Sequence, residues 1–264
     1  MTTPVAVVTG AGSGIGRALA RQLDSENYDL VISDVNEVGL AETVSQLKRK
    51  PKSLRMDVSK REEVHALADE VIKQFGRVDL VINNAGVALD GTVLEETYED
   101  LEWIFGINFW GMVYGTKAYL PQMLKQNSGT IVNVSSVFGI LGIPRQSAYC
   151  ATKFAIRGFT ESLWAELDGT GVNAVSVHPG GIKTNIAKAA RSYNDAATAQ
   201  RNAKNFEKMF RTSPEDAAAT ILRGVYEKKK RVLIGSDAHA IHVLSRVMPD
   251  AYSSIVAKMA KRYD

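Results

Sequence analysis

The chain has 264 residues, 45% of them apolar and 23% charged, a balance that suits a globular protein with a sizeable core. Its 32 basic and 29 acidic residues leave a net charge of +3, too even to point to nucleic acid. One cysteine, Cys150, excludes an internal disulfide and a cysteine metal cluster, and His65, His178, His239 and His242 lack metal-ligating spacing, so no metal is expected.

The N-terminus enters Pro4-Val5-Ala6-Val7-Val8 without a basic leader and a signal-length apolar stretch. No apolar run approaches the roughly 18–20 residues of a spanning helix. A cytoplasmic protein without a transmembrane segment is the expectation. Apolar, β-rich runs then alternate with helix-period segments. Strands are predicted over 5–9, 29–33, 52–56, 78–83, 129–134, 173–178 and 231–234, and helices over 14–26, 37–50, 61–75, 98–125, 149–167 and 214–227. Near-continuous apolar strands such as Leu80-Val81-Ile82 suggest burial on both faces. Strand–helix alternation then predicts an α/β fold, with a parallel sheet, right-handed crossovers and helices on both faces. No linker, repeat or composition break divides residues 1–264, so one domain is expected.

Two segments depart from this rhythm. Residues 185–211, rich in alanine and charge and carrying Phe206, Met209 and Phe210, interrupt the sheet pattern and are expected to cover a site. The tail 238–262 has a helical stripe at Ile241, Leu244, Met248, Tyr252, Ile255 and Met259, broken at Pro249. It is expected to pack on the body or on another subunit. The run Lys228-Lys229-Lys230-Arg231 is expected to be a solvated turn before the last strand.

After the first strand comes Thr9-Gly10-Ala11-Gly12-Ser13-Gly14-Ile15-Gly16, a turn that lets the backbone approach a ligand and opens a helix whose amides suit a pyrophosphate. Its spacing is G-x-x-x-G-x-G rather than G-x-G-x-x-G. Asp34, eighteen residues past Gly16, can accept from both ribose hydroxyls and repels a 2′-phosphate, which favours NAD. Capping of the next helix is the other use for this carboxylate. Arg17 is a cation that could instead meet a 2′-phosphate.

Tyr149 and Lys153, four apart, share one helix face. A cation near 4 Å at an effective dielectric of about 20 is worth on the order of 4 kcal/mol, enough to lower a phenol pKa by two to three units at about 1.36 kcal/mol each. Lys153 is therefore expected to make Tyr149 a proton donor and acceptor near neutral pH. Ser136, at the end of an apolar run, can add a hydroxyl donor.

Together these residues resemble the short-chain dehydrogenase/reductase family over roughly the first 185 residues. The turn Thr9–Gly16 is similar to its cofactor fingerprint, and Asp57-Val58 to its adenine-contacting pair. Asn83-Asn84-Ala85-Gly86 is similar to its stabilising motif, and Pro179-Gly180 with Thr184 to the segment that holds the nicotinamide amide. The thirteen-residue gap from Ser136 to Tyr149 matches the family's usual spacing, with Ser135 supporting the strand end. The resemblance implies a doubly wound Rossmann-type domain with a seven-stranded parallel sheet, catalytic Asn108, Ser136, Tyr149 and Lys153, and NAD as cofactor. The NAD-binding residues it implies are Gly10, Ser13, Gly14, Ile15, Gly16, Asp34, Asp57, Val58, Asn84, Ala85, Gly86, Tyr149, Lys153, Pro179, Gly180, Ile182 and Thr184. Tyr149 would move the substrate proton, Ser136 would bond the substrate oxygen, and Lys153 would hold the nicotinamide ribose. Asn108 would pin a water that resupplies protons.

Apolar residues flank this centre, Val87, Ala88 and Leu89 on one side and Val137 to Ile143 on the other, so the expected substrate is a hydrophobic secondary alcohol or ketone (steroid-like, retinoid-like, long-chain or aryl). Arg145 and Gln146 are expected to be exposed at the mouth. The alternatives are an NADP-dependent carbonyl reductase of the same fold and a non-catalytic dinucleotide sensor. The resemblance also implies a homo-oligomer, a tetramer or dimer, through the helices at 98–125 and 149–167.

Overall fold

The computed structural model describes residues 3–207, 210–252 and 254. Its centre is a seven-stranded, wholly parallel sheet of β1 (Val5–Thr9), β2 (Asp29–Asp34), β3 (Lys52–Arg55), β4 (Leu80–Asn83), β6 (Gly129–Val134), β7 (Val172–Pro179) and β9 (Arg231–Ile234). The order β3-β2-β1-β4-β6-β7-β9 starts at the middle, winds outward to β3, then restarts beside β1 at β4. The crevice where winding reverses lies between the carboxyl ends of β1 and β4, the usual ligand position in such sheets. Two short strands, β5 (Leu89–Asp90) and β8 (Arg191–Ser192), pair separately and in parallel.

The strands alternate between two cores, as the period of two requires. Ala6, Val8, Ile32, Ile82, Val132 and Val177 face one side, against Leu19 and Leu23 of α1 (Gly14–Ser25) and Ile221 and Leu222 of α8 (Pro214–Tyr226). Val5, Val7, Val31, Val81, Ile131 and Ala174 face the other, against α3 (Arg61–Phe75), α5 (Gly111–Gln126) and α6 (Ser147–Glu166). Polar groups set the helix ends. The Asn36 side chain accepts from Gly39 N at 3.1 Å and starts α2 (Glu37–Ser45). Ser213 accepts from Asp216 N at 3.0 Å, with Pro214 following, and starts α8. Gly76 closes α3 in the left-handed conformation, φ 69°.

All seven expected strands and six expected helical segments are present, with corrected ends. Helix α2 stops at Ser45 rather than 50, and α6 begins at Ser147 rather than 149. The segment 98–125 is helical throughout but not uniform. A π-helical turn, Gly106–Trp110, separates α4 (Tyr98–Phe105) from α5 and carries Asn108. Such bulges are frequent at functional sites. Residues 185–211 contain β8 and α7 (Ala196–Glu207), and Phe210 is buried. Met209 and the Phe206 side chain lie outside the described residues. The tail forms α9 (Ser236–Val247), ending just before Pro249, while Ile255 and Met259 lie outside the described residues. Ile241 and Leu244 are half-buried, whereas Val243, Val247 and Met248 are exposed, so the expected stripe is only partly covered.

Candidate active site

The glycine turn leaves β1 and opens α1 at the crevice. Gly10 is left-handed, φ 67°, and a Cβ there would lie 2.8 Å from the Cα of Ala85. Asn84 stitches the two strand ends together: its Nδ2 donates to Thr9 O (2.9 Å) and Gly10 O (3.1 Å). The Thr9 hydroxyl accepts from Asn84 N (3.1 Å) and Ala85 N (3.2 Å). Ser13 is the N-cap of α1 but makes no side-chain cap bond, so among the described residues no side-chain acceptor caps the first-turn amides. Ile15 packs on the core beneath, and Gly14 lies under Thr184, whose Cγ2 would be 3.0 Å from a Cβ at residue 14. This bare, close-packed turn with unspent amides fits the pyrophosphate of a dinucleotide.

Asp34 closes the turn from the end of β2. One carboxylate oxygen accepts from Gly12 N and the other from Asn36 N, both at 2.8 Å. Capping of α2 falls to Asn36, not to Asp34. Arg17 is spent within the protein: it bonds Glu42 at 2.7 and 2.8 Å, Thr43 at 3.0 Å and the Gly12 carbonyl at 2.5 Å. Its guanidinium is thus paired with Glu42 at the edge of the turn. Asp57 folds back on Ser59, accepting from its amide and its hydroxyl, and the buried Val58 packs against Gly111.

Helix α6 carries Tyr149 and Lys153 on one face, with the Lys153 Nζ 5.5 Å from the phenol ring centroid. Lys153 is 3% exposed and donates to Val134 O at 3.1 Å. Ser135, one residue before the predicted serine, donates to the Lys153 carbonyl at 2.7 Å and so holds α6 against the end of β6. Ser136 begins a short 3-10 turn (Val137–Gly139), and its hydroxyl accepts from Phe138 N at 3.1 Å. Phe138 meets Tyr149 edge to face, centroids 6.2 Å apart.

Electrostatics correct the sequence expectation. Burial pushes the Tyr149 phenol up to about 12, with the hydrogen bond to Ser136 pulling against it. Burial pushes the Lys153 ammonium down to about 8. The low-dielectric surroundings disfavour both charged forms. Tyr149 is thus a phenol at neutral pH, suited to donating a proton.

Asn108, 1% exposed, makes three bonds with its amide: Oδ1 accepts from Val87 N at 2.8 Å, and Nδ2 donates to Val87 O at 3.0 Å and to Thr152 at 3.1 Å. Its side chain therefore pins the loop after Gly86 to α6. A Cβ on Gly86 would lie 3.2 Å from Asn108 Oδ1 and 3.4 Å from Lys153 Nζ, which is why the loop can pass so near the ammonium. On the far side, Pro179 ends β7 and Asp237 clamps the next turn, accepting from Gly181 N at 2.7 Å. Ile182 is buried and bridges to Thr212.

Tyr149 also belongs to an apolar cluster with Leu89, Ile104 and Ala148, ringed by half-buried Val87, Ala88, Phe138, Ile186 and Tyr193. Val137, Ile140 and Leu141 turn into the interior, so the apolar wall before Tyr149 is narrower than expected. Arg145 and Gln146 are half-buried, not exposed at the mouth. Arg145, itself left-handed at φ 62°, pairs with Asp90 at 3.0 Å and Glu95 at 3.3 Å. Asp90 also accepts from Ser192 and Asn194, at 2.9 and 2.7 Å, and thereby ties residues 191–194 down beside the Tyr149 cluster. Sequence reasoning missed Thr152, Asp237 and His178. Of these only His178 leaves a trace in the sequence, as a titratable residue within a strand buried on both faces.

Fold and site together define an oxidoreductase that uses a nicotinamide dinucleotide. A family model described as short chain dehydrogenase matches residues 4–195, and the chain belongs to the short-chain dehydrogenase/reductase family. It is 47% identical to a putative oxidoreductase, SadH, of Mycobacterium tuberculosis, over 96% of this chain and 94% of that one. It is 34% identical to dehydrogenase/reductase SDR family member 7B of Xenopus tropicalis, over 98% and 86% of the two chains. Among solved structures it is similar to a short-chain dehydrogenase/reductase of Burkholderia phymatum in complex with NAD, with a TM-score of 0.88 and 33% identity over 95% of each chain. It is also similar to the closed form of a serine dehydrogenase complexed with NADP+, with a TM-score of 0.79 and 25% identity over 87% of this chain and 94% of that one.

Proposed function

We propose that the protein is an NAD-dependent alcohol dehydrogenase or ketoreductase acting on a hydrophobic secondary alcohol or ketone. The observation that carries this reading is the common face of Tyr149 and Lys153 beneath the Gly86 loop, beside an apolar cluster. When bound, the dinucleotide supplies or accepts the hydride. Tyr149 donates a proton to the ketone oxygen on reduction and takes one from the alcohol on oxidation. Ser136 donates a hydrogen bond to the same oxygen. Lys153 places a positive charge beside the phenol and holds the nicotinamide ribose. Asn108 fixes the loop that borders all three. Gly10, Ser13, Gly14, Ile15 and Gly16 cradle the pyrophosphate, and Asp57, Val58, Asn84, Ala85, Gly86, Pro179, Gly180, Ile182 and Thr184 line the rest of the dinucleotide. Residues 185–211 cover the substrate, tied down at Asp90. Exposed Trp110, stacked on Tyr114 with centroids 5.8 Å apart, supports a homo-oligomer formed through α5.

Asp34 favours NAD, since its carboxylate repels a 2′-phosphate while its remaining lone pairs accept ribose hydroxyls. One observation favours NADP instead: exposed Arg55, at the carboxyl end of edge strand β3, pairs in register with Asp34. A panel of secondary alcohols and ketones graded in size and polarity, read at the nicotinamide absorbance with each cofactor, tests both points. The expected result is turnover confined to apolar substrates with NADH preferred. Turnover of small charged substrates only would sink the substrate assignment, and a preference for NADPH would transfer the cofactor assignment to Arg55.

A pH profile follows from Lys153. Its pKa lies at about 8, below the ordinary 10.5, so the ammonium persists below about 8 and is lost above it. Ketone reduction is expected to hold its rate through neutral pH and to fall as pH rises past about 8. Initial rates that stay level to about pH 10 would show that the charge on Lys153 is not required.

A further inference from the structure

His178 lies in β7, directly before Pro179, and is fully buried. Its ring nitrogens have two partners. Nδ1 is 3.0 Å from the carbonyl oxygen of Ser136, across the β6–β7 pair, and Nε2 is 2.9 Å from the hydroxyl of Ser176. A carbonyl can only accept, so Nδ1 carries the hydrogen, and Nε2 accepts from Ser176. This fixes one neutral tautomer and one ring orientation. Burial pushes the imidazole down to about 4, so it keeps that form across the working range of pH. The same carbonyl also accepts from Gly139 N at 2.9 Å, the first bond of the 3-10 turn, so His178 and the turn together fix where it points. Ser136 sits in extended backbone, φ −166° and ψ 167°, at the step from β6 into the 3-10 turn. Rotation about this step would swing the serine hydroxyl off Tyr149.

We infer that His178 is a positioning residue: by donating to the Ser136 carbonyl it sets the direction of the Ser136 hydroxyl toward the Tyr149 phenol. Ser176 completes the relay by holding the far side of the ring. The catalytic consequence rests on the reading given under Proposed function, while the positioning itself does not.

The test uses the full-length protein with 13C at tyrosine Cζ, the Tyr149 resonance being assigned with Tyr149→Phe. Ser136→Ala is expected to move the Tyr149 signal, and His178→Leu to move it in the same direction. His178→Asn, whose amide N–H can take the place of Nδ1–H, is expected to leave it near the wild-type position. Adding His178→Leu to Ser136→Ala should produce no further movement, because the two changes act on one hydrogen bond. A merely structural role would move the signal independently of Ser136, so an additive double variant overturns the inference. A Tyr149 signal unmoved by His178→Leu also overturns it. In parallel, reduction of acetophenone by NADH is expected to drop about tenfold in kcat for His178→Leu with the KM for NADH unchanged, and not to drop further in the Ser136→Ala background. If wild-type protein reduces no ketone, the proposed reaction fails while the resonance measurement still decides the positioning.

Discussion

Tyr149→Phe is expected to lower kcat for ketone reduction by about 10³-fold while leaving dinucleotide affinity within about twofold of wild type. The substitution removes one oxygen and keeps the ring, so the edge-to-face contact with Phe138 and the apolar cluster around Leu89 persist. Stability should change little, since the phenol oxygen's partner is the Ser136 hydroxyl, which retains Phe138 N as a donor to it. The checks are steady-state rates and NADH titration followed by fluorescence. Activity close to wild type would exclude the phenol as the acid–base group and revive the non-catalytic sensor as the better description. The direction of the pKa shift sharpens the expectation. A phenol raised by burial is protonated at neutral pH, the form in which it can donate to a ketone oxygen.

Gly16→Ala is expected to abolish tight dinucleotide binding and to lower Tm by roughly 5–10 °C, equivalent to about 2–3 kcal/mol in a chain of this size. A Cβ at this position would fall inside the van der Waals shell of the Gly10 carbonyl oxygen and within 2.7 Å of Asn84 Nδ2. Neither neighbour can yield cheaply. The Gly10 carbonyl is part of the backbone turn, and Asn84 Nδ2 donates to both Thr9 O and Gly10 O. Relief therefore requires α1 to move away from β1, which opens the turn and pulls the first-turn amides off the pyrophosphate position. Gly76→Ala provides the contrast. No atom lies within 4 Å of a Cβ there, and only its left-handed backbone resists, so it should cost about 1 kcal/mol and leave binding intact. Differential scanning fluorimetry with and without NAD separates the two. Retention of NAD affinity in Gly16→Ala would contradict the role given to this turn.

Much of this molecule is written in short-range pattern. Burial on both faces makes strands such as Leu80-Val81-Ile82 continuously apolar, and the helices between strands must carry the chain back to the same end of the sheet, so the parallel sheet is legible from periodicity alone. The glycine turn is legible because no other residue tolerates that backbone path, and Tyr149 with Lys153 because four residues make one helical turn. Tertiary structure decided everything that depends on which distant group a side chain meets. Arg17 looks available in the sequence and is consumed by Glu42, while Asn108 gives both ends of its amide to Val87 and Thr152. The pairing of residues 191–192 with 89–90 has no local signal because neither strand exceeds two residues. The phenol and ammonium shift in the directions that burial dictates, and burial is a property of the assembled fold rather than of the spacing between two residues. Local sequence thus specifies backbone period and the placement of chemical groups along it. The energies that tune those groups come from desolvation and long-range hydrogen bonds, which exist only once the sheet and its helices have closed around them.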